Sequence, residues 1–511
     1  SGAVTGDNNI TLGQCSGNTL TSGDKNIIIG CGAGKILTTG SDNIFMGETA
    51  GQNLTTTSSN VFIGNAAGRC RCTGHQNIAL GGSALRGSTT VSNNTGSYNA
   101  AFGVNAGLNV STGSYNFFWG RNAGDAVTTA SGNIAMGCHA LGGNVSGAFN
   151  VVLGATAGQS IGGACNVFIG RAAGESSGTA TDNDASSNVA VGFEAGKLLT
   201  DGDQNVFLGR DAGSDVTTGC NNIYLGYTAG KGDATGSENI AIGCGAARKI
   251  GVGGGNISIG KQAGGNEGTA ADNDAANNTS IGNYAGYSLT DGDNNIFMGN
   301  SAGGETTTGL ANVMIGNYAG QCHVSGSENT YINHCAGRCM CNGSANIAIG
   351  QHALQGGSTV SANTGSLNVA IGKEAGCVMT SGTRNVLLGA NAGDAITSGS
   401  YNVALGHNVD VASATGNTQL AIGCAASNWI TGDSSFNVCL AGSTIKAMAS
   451  GGIFCATSFV GSGANLTGIN AGFDPDSQEN LYAGTNAGAS SGAGTCYNIA
   501  IGYEAGKVTG D

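Results

Sequence analysis

The chain has 511 residues, of which 95 are Gly, one is Pro, 10% are charged and 5% aromatic, with a net charge of −13. This acidic balance excludes clustered basic surfaces of the kind that nucleic acid and anionic membranes require. The glycines follow no three-residue period, which excludes collagen, and no run of about 18 apolar residues exists to span a membrane.

From the first residues on, one phrase recurs: "GDKNIIIGCGAGK" at Gly23–Lys35, "SDNIFMGETAGQN" at Ser41–Asn53, "SSNVFIGNAAGRC" at Ser58–Cys70. With the Asn of the phrase as position 0, anchors fall at Asn9, Asn26, Asn43, Asn60, Asn77, Asn99 and onward to Asn402, giving 23 anchors and 22 intervals. Seventeen intervals are 17 residues, one is 16 and four are 22. The long intervals open at Asn77, Asn166, Asn256 and Asn346, so five coils form a super-repeat of about 90 residues. Their inserted segments are of two kinds, "STTVSNNTGS" (Ser88–Ser97) with "STVSANTGS" (Ser358–Ser366), and "GTATDNDASS" (Gly178–Ser187) with "GTAADNDAAN" (Gly268–Asn277). At about 4.8 Å per coil, a loop would protrude every ~24 Å.

Position +3 is apolar in all 23 coils, +1 in 21 (Thr279 and Thr330 are the exceptions), +4 is Gly in 22 (Asn333 is the exception) and +7 is Ala in 21. This predicts, in each coil, a short strand, a Gly bend, an Ala-Gly corner, a second short strand near +11 and a polar turn. Seventeen residues are too few for a βαβ unit. The fold class is therefore all-β, a parallel β-solenoid or β-roll in which each coil pairs with the next. The anchors, among them Asn26, Asn43, Asn60, Asn77, Asn116, Asn205, Asn295 and Asn385, are expected to stack as a structural ladder, each amide bonding to its neighbour or to backbone.

A half-buried strand would turn +1 and +3 inward and +2 to water. Yet no +2 residue is charged, and many are large: Phe45, Phe62, Phe118, Phe168, Phe207, Tyr224, Phe297 and Tyr331. An apolar stripe of that length needs a cover, and the simplest is another copy of the chain. The expectation is a homo-oligomer of parallel solenoids, packed or intertwined as a homotrimeric fibre, with the +2 column between chains. The competing arrangement is a single wider coil whose +2 residues pack beneath its own second strand.

The Cys-rich stretch "CHVSGSENTYINHCAGRCMC" (Cys322–Cys341) stacks Cys322 and Cys339 at +10 of adjacent coils, within disulfide range. A disulfide or buried thiols is favoured over a zinc site, which needs about four converging ligands. Cys31, Cys138, Cys244 and Cys424 follow the repeat Gly and read as small corner residues. Acidic turns such as "TDGDQN" (Thr200–Asn205) hint at calcium but lack a complete binding motif. The G-x-G instances are repeat corners, with no P-loop among them. No metal or cofactor is assigned. No Ser-His-Asp or paired-carboxylate arrangement stands out, so an enzyme is not expected; an ice-binding face is disfavoured because the Thr-rich stretches are too irregular. The pattern loosens from Val409 to Thr495, which holds Pro475 and Trp429. Three regions are expected: regular coils over 1–408, a connecting or capping module over 409–495, and a resumed run over 496–511 that starts with "NIAIGYEAG" (Asn498–Gly506). Because the pattern is already running at Ser1 and still running at Asp511, a longer polypeptide is expected.

The phrase "NVAIG" with its following Ala-Gly, at Asn368–Gly376, resembles the head repeats of trimeric autotransporter adhesins, which form a trimeric β-roll. "GSYNVALGHNVDVASATGNTQLAIG" (Gly399–Gly423) and "ATSFVGSGANLTGI" (Ala456–Ile469) resemble tail-fibre-like repeat proteins of marine cyanophages. The resemblance implies a virion tail fibre or spike shaft that presents a host-contact surface. The alternative is a bacterial cell-surface adhesin or secreted extracellular filament. Implied partners are further copies of the chain, other fibre or virion proteins at the ends and host surface glycans; no nucleic acid and no membrane insertion are implied.

Overall fold

The computed structural model describes residues 5–143, 146–176, 183–249, 251–265, 274–425, 427–435 and 437–440, together with strands at Asp474–Pro475, Leu481–Ala483 and Ile499–Ile501. It divides into two units, Ser1–Gly442 and Ser443–Asp511. The first is a parallel β-solenoid. Its strands, from β1 (Ile10–Leu12) to β23 (Val403–Leu405), are three residues each and occupy +1 to +3 of every coil. Each pairs in parallel with the next without a shift of register: Ile44 with Val61, Phe45 with Phe62, Met46 with Ile63. The pairing is the same across a 22-residue interval, where Ile78 meets Ala100. Inserted residues are thus absorbed outside the strand, and the rise per coil is unchanged. Twenty-three strands at about 4.8 Å make a rod about 105 Å long.

Only one strand forms per described coil; the second strand expected near +11 is replaced by a chain of turns. The reason is local conformation. In the coil of Asn60, Ser59 at −1 (φ 62°) and Ala66 at +6 (φ 55°) are left-handed, Gly64 has φ 137° and Gly68 φ 59°. A strand cannot pass through so many positive-φ residues. The turns still stack, because their amides reach the next coil: Gly51 N donates to Ala67 O (2.9 Å) and Thr38 N to Thr55 O (2.8 Å).

The regular pairing extends past residue 408. Gln419 stands 17 residues after Asn402 and takes the rung position, its backbone N 2.8 Å from Asn402 Oδ1. The strand that follows, β24 (Leu420–Cys424), is parallel to β23, but β25 (Ser427–Gly432) and β26 (Val438–Leu440) turn antiparallel and end the stack. In the second unit Asp474–Pro475 pairs antiparallel with Leu481–Ala483, which pairs in parallel with Ile499–Ile501. Coil-like pairing there already begins at Leu481, inside the span expected to be irregular. The phrase Ala456–Ile469 lies outside the described residues.

Candidate functional site

Two columns of side chains give the solenoid its character, and both are set by the strand's period of two. Positions 0 and +2 point to one face, +1 and +3 to the other. The inward face is that of the Asn. Asn26, Asn43, Asn60, Asn77, Asn116, Asn205, Asn295 and Asn385 are all buried. Each Oδ1 accepts the backbone N–H of the next rung at 2.9–3.0 Å. Its Nδ2 donates to the preceding Oδ1 (2.9–3.2 Å), as in Asn43, Asn205 and Asn385, and to a carbonyl of the following coil, as from Asn43 to Thr57 O at 2.8 Å. Donors and acceptors are thereby matched in an interior where an unpaired group costs about 1–3 kcal/mol.

Position +2 shares this inward face, which corrects the expected arrangement. Phe45, Phe62, Phe118, Phe168, Phe207, Tyr224, Phe297 and Tyr331 are fully buried within one chain, so they are not an interchain column. The turns of the same coil close over them: Ala67 at +7 and the apolar residue at +11, such as Leu37 or Leu54, are buried in the same core. In three coils volume is exchanged between +2 and +8. Beside Phe62 the +8 residue is Gly68, where any Cβ would overlap the ring; beside Ala79, Ala135 and Ala348 it is Leu85, Leu141 and Leu354, all fully buried. The exchange is written in the sequence but is confined to these coils: beside Ala101, Ala190 and Ala370 the +8 residue is Gly107, Gly196 and Gly376.

The +11 column carries the polar exceptions. Asp233 is buried and accepts from Tyr224 Oη, from Gly236 N (2.9 Å) and from Asn239 Nδ2 (3.3 Å). Burial pushes its carboxyl up to about 6 against these three donors. His323 lies with one ring nitrogen 2.6 Å from Met340 O and the other 2.8 Å from Gly326 O, edge-on to Tyr331. Burial holds its pKa below the usual value. Arg71, fully buried, donates to Val110 O (3.3 Å) and Gly96 O beneath the first insertion; burial lowers its pKa to about 10. Those insertions are pinned by buried asparagines: Asn94 Nδ2 donates to Cys70 O (2.7 Å) and Asn363 Nδ2 to Cys339 O (2.9 Å).

Cys322 and Cys339 stack in consecutive coils as free, half-buried thiols, not as a disulfide. Burial first, then the charge of Glu305 and the neighbouring Cys339, pushes the Cys322 thiol up to about 12. The thiolate needed for disulfide exchange is therefore scarce. Among the described residues no group of His, Cys, Asp or Glu is arranged to hold a metal. Cys31, Cys244 and Cys424 are exposed and Cys138 is half-buried. The acidic turns have a structural use: Asp203 Oδ1 accepts from Ser186 N (2.7 Å) and Asp293 Oδ1 from Ala276 N (2.8 Å), tying coil to coil. One open cleft of about 320 Å³ is lined by Tyr284, Tyr287, Ser288, Ser301, Gly304, Glu305 and Gln321. No described helix is long and apolar enough to cross a membrane.

The fold and its ladder define a parallel β-solenoid of about 17-residue coils. Comparison of the chain with protein-family models, with curated proteins and with solved structures finds no match.

Proposed function

We propose that the chain is the shaft of a fibre, a phage tail fibre or spike that holds a host-contact surface away from the virion. The observation that supports this reading most is the unbroken register: strand pairing continues through 22-residue intervals as through 17-residue ones, so the chain adds length without interrupting the stack. Catalysis is not part of this reading. The buried Asn rungs are spent on neighbouring coils, and the Cys322–Cys341 stretch serves packing. The same rod would serve a bacterial surface adhesin or a secreted filament, a second reading favoured by the "NVAIG" phrase with its following Ala-Gly (Asn368–Gly376). Other fibre or virion proteins would join at its ends, and host surface glycans would meet its protruding loops.

Immunogold labelling of a producing culture tests the proposal. Antibody against residues 1–408 is expected to decorate thin appendages of virus particles. Label on the cell envelope selects the adhesin, and label confined to the cytosol rejects both.

A further inference from the structure

Turning +2 inward turns +1 and +3 outward, and those columns are as apolar as the core. Of the 46 side chains at +1 and +3, 44 are apolar and the other two are Thr279 and Thr330; none is charged. They are left open: Ile63, Ile242 and Met298 are each 38% exposed and Trp119 56%. At about 50 Å² for each such partly exposed side chain, the face presents on the order of 2,000 Å², against a few hundred on a typical monomer and about 800 Å² per partner in a standard interface.

We infer that this outward sheet face is the surface on which a second copy of the chain packs. Three features single out a copy rather than an unrelated partner. The face is a lattice, 23 strands long, with one spacing and no register break, and a second solenoid of this chain carries the same spacing along its whole length. It offers no charge and almost no side-chain hydrogen bonding, so it is matched by a surface equally free of both. The acidic residues that give the chain its net charge lie outside positions 0 to +4 in every coil, with Asp42, Glu238 and Glu328 at −1 and Glu48 at +5, so the face itself is uncharged and like charges stand only along its rims. The face also has an anchor of the kind that dominates interfaces. Phe102, Phe117 and Trp119 cluster on the outside with ring centroids 5.7–6.3 Å apart, flanked by Tyr98 and Tyr115 stacked at 4.8 Å. The pairing is independent of where the protein resides, so it stands or falls separately from the fibre reading.

Sedimentation of the full chain decides it. At micromolar concentration the wild type is expected to run at two or more chain masses. The double variant Trp119→Asp, Ile134→Asp is expected to run at one, with its far-ultraviolet spectrum unchanged. A wild type that sediments as a single chain overturns the inference, as does a folded Asp variant that stays assembled. Should the Asp variant lose its β spectrum, the triple variant Trp119→Thr, Ile134→Thr, Met136→Thr replaces it, since Thr279 and Thr330 stand on this face natively. Its self-association is expected to weaken at least about tenfold, and an unchanged association overturns the inference. In a Trp429→Phe background, Trp119 emission is expected to shift to shorter wavelength as concentration rises, and a concentration-independent spectrum counts against the pairing.

Discussion

The buried apolar core falls into two stretches, Leu20–Ala247 and Ala275–Ala421, and the coils between them differ from their neighbours. In the first stretch the inward column includes rings that stack coil on coil, Phe45 on Phe62 at 5.4 Å and Phe207 on Tyr224 at 5.5 Å, between coils filled by smaller residues such as Ala101 and Val152. At the seam the +2 residues are Ser258 and Ser280, around a void of about 10 Å³, and Ser280 Oγ has no hydrogen-bond partner. Strand pairing nonetheless crosses the seam in register, Ile257 with Thr279 and Ile259 with Ile281. So do the rungs, Asn278 N to Asn256 Oδ1 at 2.9 Å. Backbone bonds and the Asn ladder therefore set the register, while apolar filling supplies most of the stability.

The contrast can be broken from the filled side first. Phe118→Ala should cost about 3–5 kcal/mol in chemical denaturation, through lost burial and an unfilled cavity. Ser258→Ala should cost under 1 kcal/mol. Equal effects would mean that the filling is not what distinguishes the stretches. Removing a rung comes next. Asn205→Ala deprives Asn222 N of its acceptor and Gly219 O of a donor, and should cost roughly 2–4 kcal/mol. The loss should be similar for Asn256→Ala at the seam, because the ladder runs through both; hydrogen exchange of the flanking amides locates the damage.

The polar coil of Asp233 adds a pH dependence. Its folded pKa is raised to about 6 from 3.8, so the proton is held more tightly in the folded state. The associated stability is full below about pH 4 and is lost as pH rises through about 6. Thermal melts from pH 4 to 7 should decline over that window, and Asp233→Asn should flatten the decline. A wild-type curve without it would mean that the donors from Tyr224, Gly236 and Asn239 outweigh burial. A change of opposite sign is expected at the seam: Ser280→Ala removes an unpartnered buried hydroxyl and should raise stability by about 1 kcal/mol.

Much of the fold was legible in the sequence. The Asn period announced the coils, and the Gly at +4 of 22 coils marked the bend: a Cβ on Gly64 would lie about 2.6 Å from Gly81 backbone. The Cys322–Cys339 stacking was legible as proximity, but burial of the thiol, which decides its reactivity, was not. The facing of the strand is not legible, because an NVFIG phrase is apolar at +1, +2 and +3 alike and periodicity cannot tell a strand's faces apart when both are apolar. The +2/+8 exchange between Phe62–Gly68 and Ala79–Leu85 recurs in only three of the eight coils with Ala at +2, too few to decide the facing.

By itself the sequence determined the class of fold, the coil length and the ladder, since these follow from a one-dimensional period that stacking repeats must share. Tertiary structure alone decided which apolar column is core and which is surface. That choice depends on how the turns close. Left-handed residues such as Lys25 (φ 58°), Tyr98 (φ 60°) and Phe149 (φ 60°), whose side chains do not advertise that conformation, fold the turns over +2 and leave +1 and +3 outside.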